Sequence, residues 1–190
     1  MDFILALLLA VILALCLSLL LFQAITGVPP LSATRTEAAN VVALLRQAGL
    51  PERAIVYDLG AGWGSLAIAL ARAFPQARII GIERSPLPCW IAGLRTRRLP
   101  NVELWRADFY DRDISDAHAV TCYLMIKPMP RLAIFLDRML PADTPVVALA
   151  FWFRDRAPAA TLERDGLRGA ALYRWPAHLR PPRPASSGGA

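Results

Sequence analysis

The chain opens on one long apolar run and then changes rhythm. Residues 3–22 read FILALLLAVILALCLSLLLF, with Ser18 the one polar side chain. Beyond them, short apolar runs alternate with stretches whose apolar positions recur at helical spacing. Thr34, with Glu37 three residues on in TRTE, predicts a capping box and a helix running to about residue 47, ended by Gly49 and Pro51. The pattern then predicts strands over 54–58, 78–83, 102–106, 118–124 and 146–153, with helices over 65–74, 88–97 and 129–139. Nearly all-apolar strands alternating with helices predict a parallel sheet covered on both faces, an α/β fold. Two last runs, 160–164 and 170–175, flank DGLRG and read as an antiparallel hairpin.

Twenty helical residues at about 1.5 Å each span roughly the 30 Å hydrocarbon core of a bilayer, so 3–22 reads as a transmembrane helix. The rival is a cleaved signal peptide. Against it, Asp2 is the only charge before the run, no basic residue precedes it, and no small-x-small cleavage site follows. The expected organisation is an anchor over 1–25, a Gly/Pro-marked linker over 26–33, one globular domain over 34–178 and a flexible tail over 179–190. Arg35, Arg46 and Arg53 follow the apolar run, which by the positive-inside rule places that domain on the cytoplasmic side of a single-pass protein.

Composition narrows the chemistry. Cys16, Cys89 and Cys122 form no C-x-x-C pair, and His118 and His178 are the only histidines, so no metal site is expected. The net charge is +6, and from Arg154 onward seven arginines face the acids Asp155, Glu163 and Asp165. A solvated surface beside anionic headgroups accounts for that excess. No basic motif interleaved with aromatics accompanies it, so no nucleic-acid partner is expected.

The sharpest motif is VYDLGAGWG, residues 56–64. In an open α/β sheet the ligand lies beyond the carboxyl ends of the strands. Gly60, Gly62 and Gly64 lack a Cβ and let the turn take positive φ and bring backbone N–H groups near a ligand. The dinucleotide fingerprint is G-x-G-x-x-G/A, whereas here the spacing is G-x-G-x-G. Asp58, two residues earlier, would repel a pyrophosphate and suits a ligand with an amino group and no phosphate. S-adenosylmethionine (SAM), carrying a cationic amine and a sulfonium, meets that charge balance. Glu83 stands nineteen residues past Gly64, where an acid holds ribose hydroxyls, and Asp108 with Phe109 follows the third strand, placed for an adenine ring. Each acid also has a structural reading: Asp58 as a helix cap, Glu83 paired with Arg84 or Arg95, Asp108 as the start of a loop. Together, at the ends of three successive strands, they favour one adenosyl ligand.

VYDLGAGWG, GIE and RADF resemble motifs of the class I, seven-stranded SAM-dependent methyltransferases, over roughly 34–175. The resemblance implies a Rossmann-like, mostly parallel sheet with a C-terminal antiparallel hairpin. It further implies that Asp58, Gly60, Gly62 and Gly64 hold the methionine portion, Glu83 the ribose and Asp108 the adenine. The hydrophobic N-terminus, the lead-in helix with Thr34 and YLMIKPMPRL after the fourth strand resemble the lysine methyltransferases of ATP synthase c-subunit and adenine nucleotide translocase. Tyr123, Met129, Pro130 and Leu132 fit that pattern, while Ile126 occupies the position of an expected proline. The implied activity is methyl transfer to a lysine of a membrane-associated protein. A lipid headgroup, a quinone or another small molecule is the alternative acceptor, and a non-catalytic SAM-binding scaffold the alternative class.

Methyl transfer needs a positioned lone pair in a dry site rather than a dedicated base, so the scarcity of histidine does not oppose it. Tyr123, Phe151, Trp152 and Phe153 are candidates for an aromatic substrate channel, with ordinary core packing as the other reading. Lys127, the only lysine, is not assigned as a base. No Asn/Asp-Pro-Pro-Tyr/Phe follows the fourth strand, and the Pro88–Cys89 pair lies after the second, away from any cytosine-C5 nucleophile position.

Overall fold

The computed structural model of the chain describes residues 2–26, 32–164 and 167–179. The linker expected over 26–33, the tail expected over 179–190 and the turn between the last two strands lie largely outside the described residues. After an N-terminal helix α1 (Asp2–Thr26) come α2 (Arg35–Gln47), β1 (Ile55–Leu59), α3 (Ser65–Ala73), β2 (Arg78–Glu83), α4 (Pro86–Thr96) and β3 (Val102–Arg106). They are followed by β4 (Ala119–Cys122), α5 (Met129–Met139), β5 (Thr144–Leu149), β6 (Ala160–Arg164) and β7 (Leu167–Trp175).

The seven strands form one sheet in the order β3-β2-β1-β4-β5-β7-β6, parallel except for β7, which runs antiparallel to β5 and to β6. The strands alternate cleanly with period two. Tyr57, Ile80, Val120, Val146 and Tyr173 point into a core with α5, while Val56, Ile79, Ala119, Val147 and Leu172 point into a second core with α2 and α3. Gly64 packs against Ala92 of α4, which places α4 in the same layer as α2 and α3. The expected hairpin and sheet are present, and no helix interrupts 150–159.

Local chemistry explains the element ends. The Thr34 hydroxyl accepts from Glu37 N–H at 3.3 Å and Glu37 Oε2 accepts from Thr34 N–H at 2.8 Å, the capping box read from TRTE. Ala38, Val41, Val42, Leu44 and Leu45 then form the buried stripe of α2. The fifth strand stops at Leu149 rather than 153, because Ala150 takes a φ of 62° and turns the chain off the ladder. The fourth strand is likewise shorter than expected, ending at Cys122.

The membrane crossing expected over 3–22 is not found: among the described residues no helix is long and apolar enough to cross a membrane. The first half of α1 carries apolar side chains on all sides. Those side chains, among them Phe3, Ile4, Leu5, Leu7 and Leu8, are exposed.

Candidate functional site

The strand order reverses direction between β1 and β4, and ligands of open α/β sheets bind at that switch point, beyond the carboxyl ends of the strands. β1 delivers Asp58 there. The chain then turns through Gly60, Gly62 and Gly64, with φ values of 76°, 52° and 76°, into α3. At Gly60 a Cβ would lie 2.6 Å from Leu124 Cδ2, and at Gly64 one would lie 3.0 Å from Ala92 Cβ. The conformation favours glycine at both positions, and at Gly64 the space does too, because Ala92 Cβ is fixed to its helix while the Leu124 side chain at Gly60 can rotate away.

Backbone bonds hold the turn against β2: Gly60 and Ala61 N–H donate to Ile82 O at 2.9 and 3.1 Å. Glu83, at the end of β2, adds a carboxylate brace, accepting from Gly62 N–H at 2.8 Å and from Ser85 N–H at 2.7 Å. Neither Arg84 nor Arg95 pairs with it. Arg84 reaches Asp108 Oδ2 at 3.5 Å, and Arg95 donates to Trp63 O on the glycine turn. Each Glu83 oxygen keeps a lone pair for a further donor.

Asp58 is 1 % exposed. Its Oδ1 accepts from the Thr121 hydroxyl at 3.0 Å, and its Oδ2 has no hydrogen-bond partner. Burial raises its pKa to about 7. Thr121 and the Ala67 backbone pull it down, Glu83 pushes it further up, and burial dominates. Asp58 thus lies against the first turn of α3, whose Ala67 backbone favours its charged form. It borders a cleft of about 10 Å³, shared with Ser32, Ala33, Gly60, Ala61, Ser65, Leu66 and Tyr123. That volume holds about one water molecule. A hydrogen bond of 2.8 Å between the Ser32 and Ser65 hydroxyls ties the segment before α2 to the start of α3 beside the cleft. Cys122, next in β4, is buried and pushed up to about 12 by burial and by Asp58, which makes it an inert thiol.

The third acid is arranged differently. Asp108 Oδ1 accepts from Tyr110 N–H at 3.1 Å and caps a single 3-10 turn over Phe109–Asp111. This loop-starting role leaves acceptor capacity on Oδ2, beside Arg84. Phe109 is partly buried against Tyr110 and Phe135, with ring centroids 4.3 and 6.2 Å away.

Among the channel candidates, Tyr123 borders the Asp58 cleft, whereas Phe151 and Trp152 are partly buried at the edge of the α5-side core. Trp152 Nε1–H donates to Gly169 O at 3.2 Å. Phe153 takes the core-packing reading: 3 % exposed, it packs on Tyr173 and Trp175 at 5.1 and 5.0 Å, because β5 has already ended and the chain has folded back onto the core. Thr34 sits at the α2 start, lining a groove between α2 and α3 rather than the Asp58 cleft. Sequence reasoning missed Thr121, Leu124, Ser32 and Ser65. Of these only Thr121 carried a signal, as a lone hydroxyl within the apolar run 119–122. Among the described residues no cluster of His, Cys, Asp or Glu has the arrangement of a metal site.

The residues fit a cationic amino acid portion. A buried carboxylate with one unsatisfied oxygen faces a glycine turn whose backbone admits close approach, and a second carboxylate brackets it.

Comparison with known proteins agrees. A protein-lysine N-methyltransferase of Saccharolobus islandicus is 29 % identical over 157 residues, covering 77 % of this chain and 93 % of that protein. The crystal structure of an RNA methyltransferase from Salinibacter ruber in complex with S-adenosyl-L-homocysteine is similar at a TM-score of 0.66 and 28 % identity, covering 84 % of this chain and all of that one. A release factor glutamine methyltransferase of Mycolicibacterium smegmatis shares 54 % identity, confined to 37 residues, 20 % of this chain and 13 % of that protein. The family model of the ANTKMT methyltransferase domain matches residues 58–160, more than half of the chain and the part that carries the acids and the glycine turn. The chain belongs to that family and is a SAM-dependent methyltransferase.

Proposed function

We propose that the chain methylates a lysine side chain of a membrane-associated protein, with α1 as its membrane attachment and the sheet domain on the cytoplasmic side. The observation that carries the acceptor is the likeness to a protein-lysine N-methyltransferase over nearly that protein's whole length, within a family match that spans the site. The attachment is supported by α1, whose described apolar side chains are exposed to their surroundings rather than packed into either core.

When bound, SAM supplies an electrophilic methyl on a sulfonium. In this reading Asp58 Oδ2 holds the methionine ammonium, which supplies the partner the buried oxygen lacks. The glycine turn allows that approach, and Glu83 offers its free lone pairs to the ribose hydroxyls while bracing Gly62. Asp108 and Phe109 contact the adenine. Admission requires Ser32 and Ala33 to withdraw from Ser65, since the cleft beside Asp58 is about 10 Å³. The acceptor amine must arrive neutral. An apolar approach past Tyr123 lowers a lysine's pKa by desolvation, and orientation of its lone pair does the rest.

The test is transfer from methyl-labelled SAM in a membrane preparation. Label is expected in methyl-lysine after protein hydrolysis and is lost in Asp58→Ala. The similarity to an RNA methyltransferase favours RNA as a second acceptor. Label recovered in RNA, or in an organic-solvent extract, replaces the lysine reading with that acceptor. Cofactor binding with no transfer to any fraction supports a scaffold.

A further inference from the structure

A second cavity, larger than the cofactor cleft, lies elsewhere on the domain. It is a groove of about 990 Å³ on the outer face of the α2–α3–α4 layer. Its floor is small and apolar, with Ala38, Ala39, Ala43 and Ala69 among the lining residues. Four arginines border it: Arg35 and Arg46 from α2, Arg72 from α3 and Arg95 from α4. Arg97 and Arg98, just past the end of α4, are exposed and add to the basic charge of the layer. Across α2, α3 and α4 the acid is Glu37 alone, and it is bonded into the capping box. Arg46 lies over the Phe74 ring at 6.0 Å, and Arg95 bonds the glycine turn. Basic charge therefore gathers on one helical face that has almost no opposing charge.

The same layer exposes a second feature. Trp90 and Leu94, one helical turn apart on α4, are 64 % and 46 % exposed, although α4 has a buried side to place them on. Tryptophan beside arginine is the composition of a membrane–water interface, where the ring sits at headgroup level and the cations meet phosphates. The layer also begins at Arg35, a few residues after α1, so a lipid-bound α1 holds it close to the bilayer.

We propose that the α2–α3–α4 face lies on an anionic phospholipid surface, with lipid phosphates at the arginine-bordered groove and Trp90 and Leu94 entering the interface. This deepens the reading of a membrane-associated enzyme and rests on it. In that pose the sheet lies side-on, and the carboxyl ends of the strands open along the membrane plane rather than away from it. A lysine near the headgroups then reaches Tyr123 without leaving the surface. A nucleic acid would also meet the charge. The exposed Trp90–Leu94 pair on α4, and the adjacency to α1, favour lipid.

The experiment uses the full chain with vesicles of brominated phosphatidylcholine, alone or mixed with phosphatidylglycerol. Flotation with neutral vesicles reads the α1 attachment. Quenching of tryptophan fluorescence by the brominated chains reads the pose of the face. Quenching is expected to appear with the anionic mixture, to weaken in 0.5 M salt (roughly a 4 Å Debye length), and to vanish in Trp90→Phe. The triple variant Arg72→Glu, Arg97→Glu, Arg98→Glu is expected to weaken it at least about tenfold while retaining S-adenosylhomocysteine binding and an unchanged melting temperature. Equal quenching in neutral and anionic vesicles, or quenching that survives Trp90→Phe, overturns the proposal even if flotation succeeds. An RNA that binds the full chain and is released by the same triple variant, with no effect of that variant on vesicles, overturns it in favour of nucleic acid.

Discussion

The Thr121 hydroxyl donates to Asp58 Oδ1 at 3.0 Å across the β1–β4 seam, and Asp58 Oδ2 is left buried with no partner. The two residues are register partners in adjacent parallel strands and point to the same side of the sheet as α3. A half-satisfied carboxylate at the switch point is a costly arrangement in the absence of a ligand, and its cost has a measurable sign.

That sign appears first in stability. With a folded pKa of about 7 against an ordinary 3.8, Asp58 keeps a proton in the folded chain that the unfolded chain has lost. More protons bound to the folded state mean that its contribution to stability is full below the unfolded pKa and is lost as pH rises through about 7. Ligand-free Asp58→Asn is expected to become increasingly more stable than the parent from pH 4 to 7, by up to about 4 kcal/mol, with a constant difference above. Denaturant melts at several pH values check it. A difference independent of pH refutes it.

Cofactor binding should show the opposite demand. Only ionised Asp58 attracts an ammonium, so the Kd for S-adenosylhomocysteine is expected to weaken about tenfold per unit as pH falls below about 7. Thr121→Val removes the one hydroxyl donor to the carboxylate and should move this profile upward by roughly one pH unit, from a charged hydrogen bond of about 1.5–3 kcal/mol. Calorimetry over pH 5.5–8 (about the range where the carboxylate titrates) decides. A parallel loss of affinity with no shift would make Thr121 a packing residue.

Gly60 and Gly64 separate conformational strain from collision. Both sit at a φ of 76°, but the contact at Gly60 is the rotatable end of Leu124, whereas that at Gly64 is Ala92 Cβ, fixed to the α4 backbone. Gly60→Ala is expected to cost about 1–2 kcal/mol from the left-handed conformation, and Gly64→Ala to cost more. Ala92→Gly should restore part of the Gly64→Ala loss. Equal melting temperatures for the two single variants would contradict the collision at α4.

Phe153 and Tyr123 separate core from channel. Phe153→Ala is expected to destabilise by about 3–5 kcal/mol, while Phe153→Leu keeps transfer. Tyr123→Ala should alter kcat or KM with a much smaller change in melting temperature, since Tyr123 borders the cleft. A variant at Phe153 that keeps full stability and loses transfer would return it to the channel.

Much of this was readable along the chain because it depends on near neighbours. TRTE specifies its capping box within one helical turn, and the glycine turn needs only the positive-φ freedom of Gly60, Gly62 and Gly64. The period-two alternation at Tyr57, Ile80 and Val120 is equally local. The end of β5 was misplaced because Phe151, Trp152 and Phe153 continue the apolar run, while the break at Ala150 is a backbone conformation that its side chain does not announce. Asp108 begins a loop, the structural alternative to its adenine-binding role, but the 3-10 turn it caps has no periodicity to reveal it.

The sequence by itself determined the order of strands and helices, the acids at the carboxyl ends of β1 and β2, and the chemical class of the ligand. It could do so because propensity, capping and side-chain alternation act over a few residues. Only the tertiary structure decided that Thr121 meets Asp58, that Glu83 braces Gly62, that Ser32 closes on Ser65, and that arginines from three helices border one groove. Those contacts join residues 20 to 60 and more positions apart. Their partners are chosen by the order in which strands pair and helices pack, which no local pattern encodes.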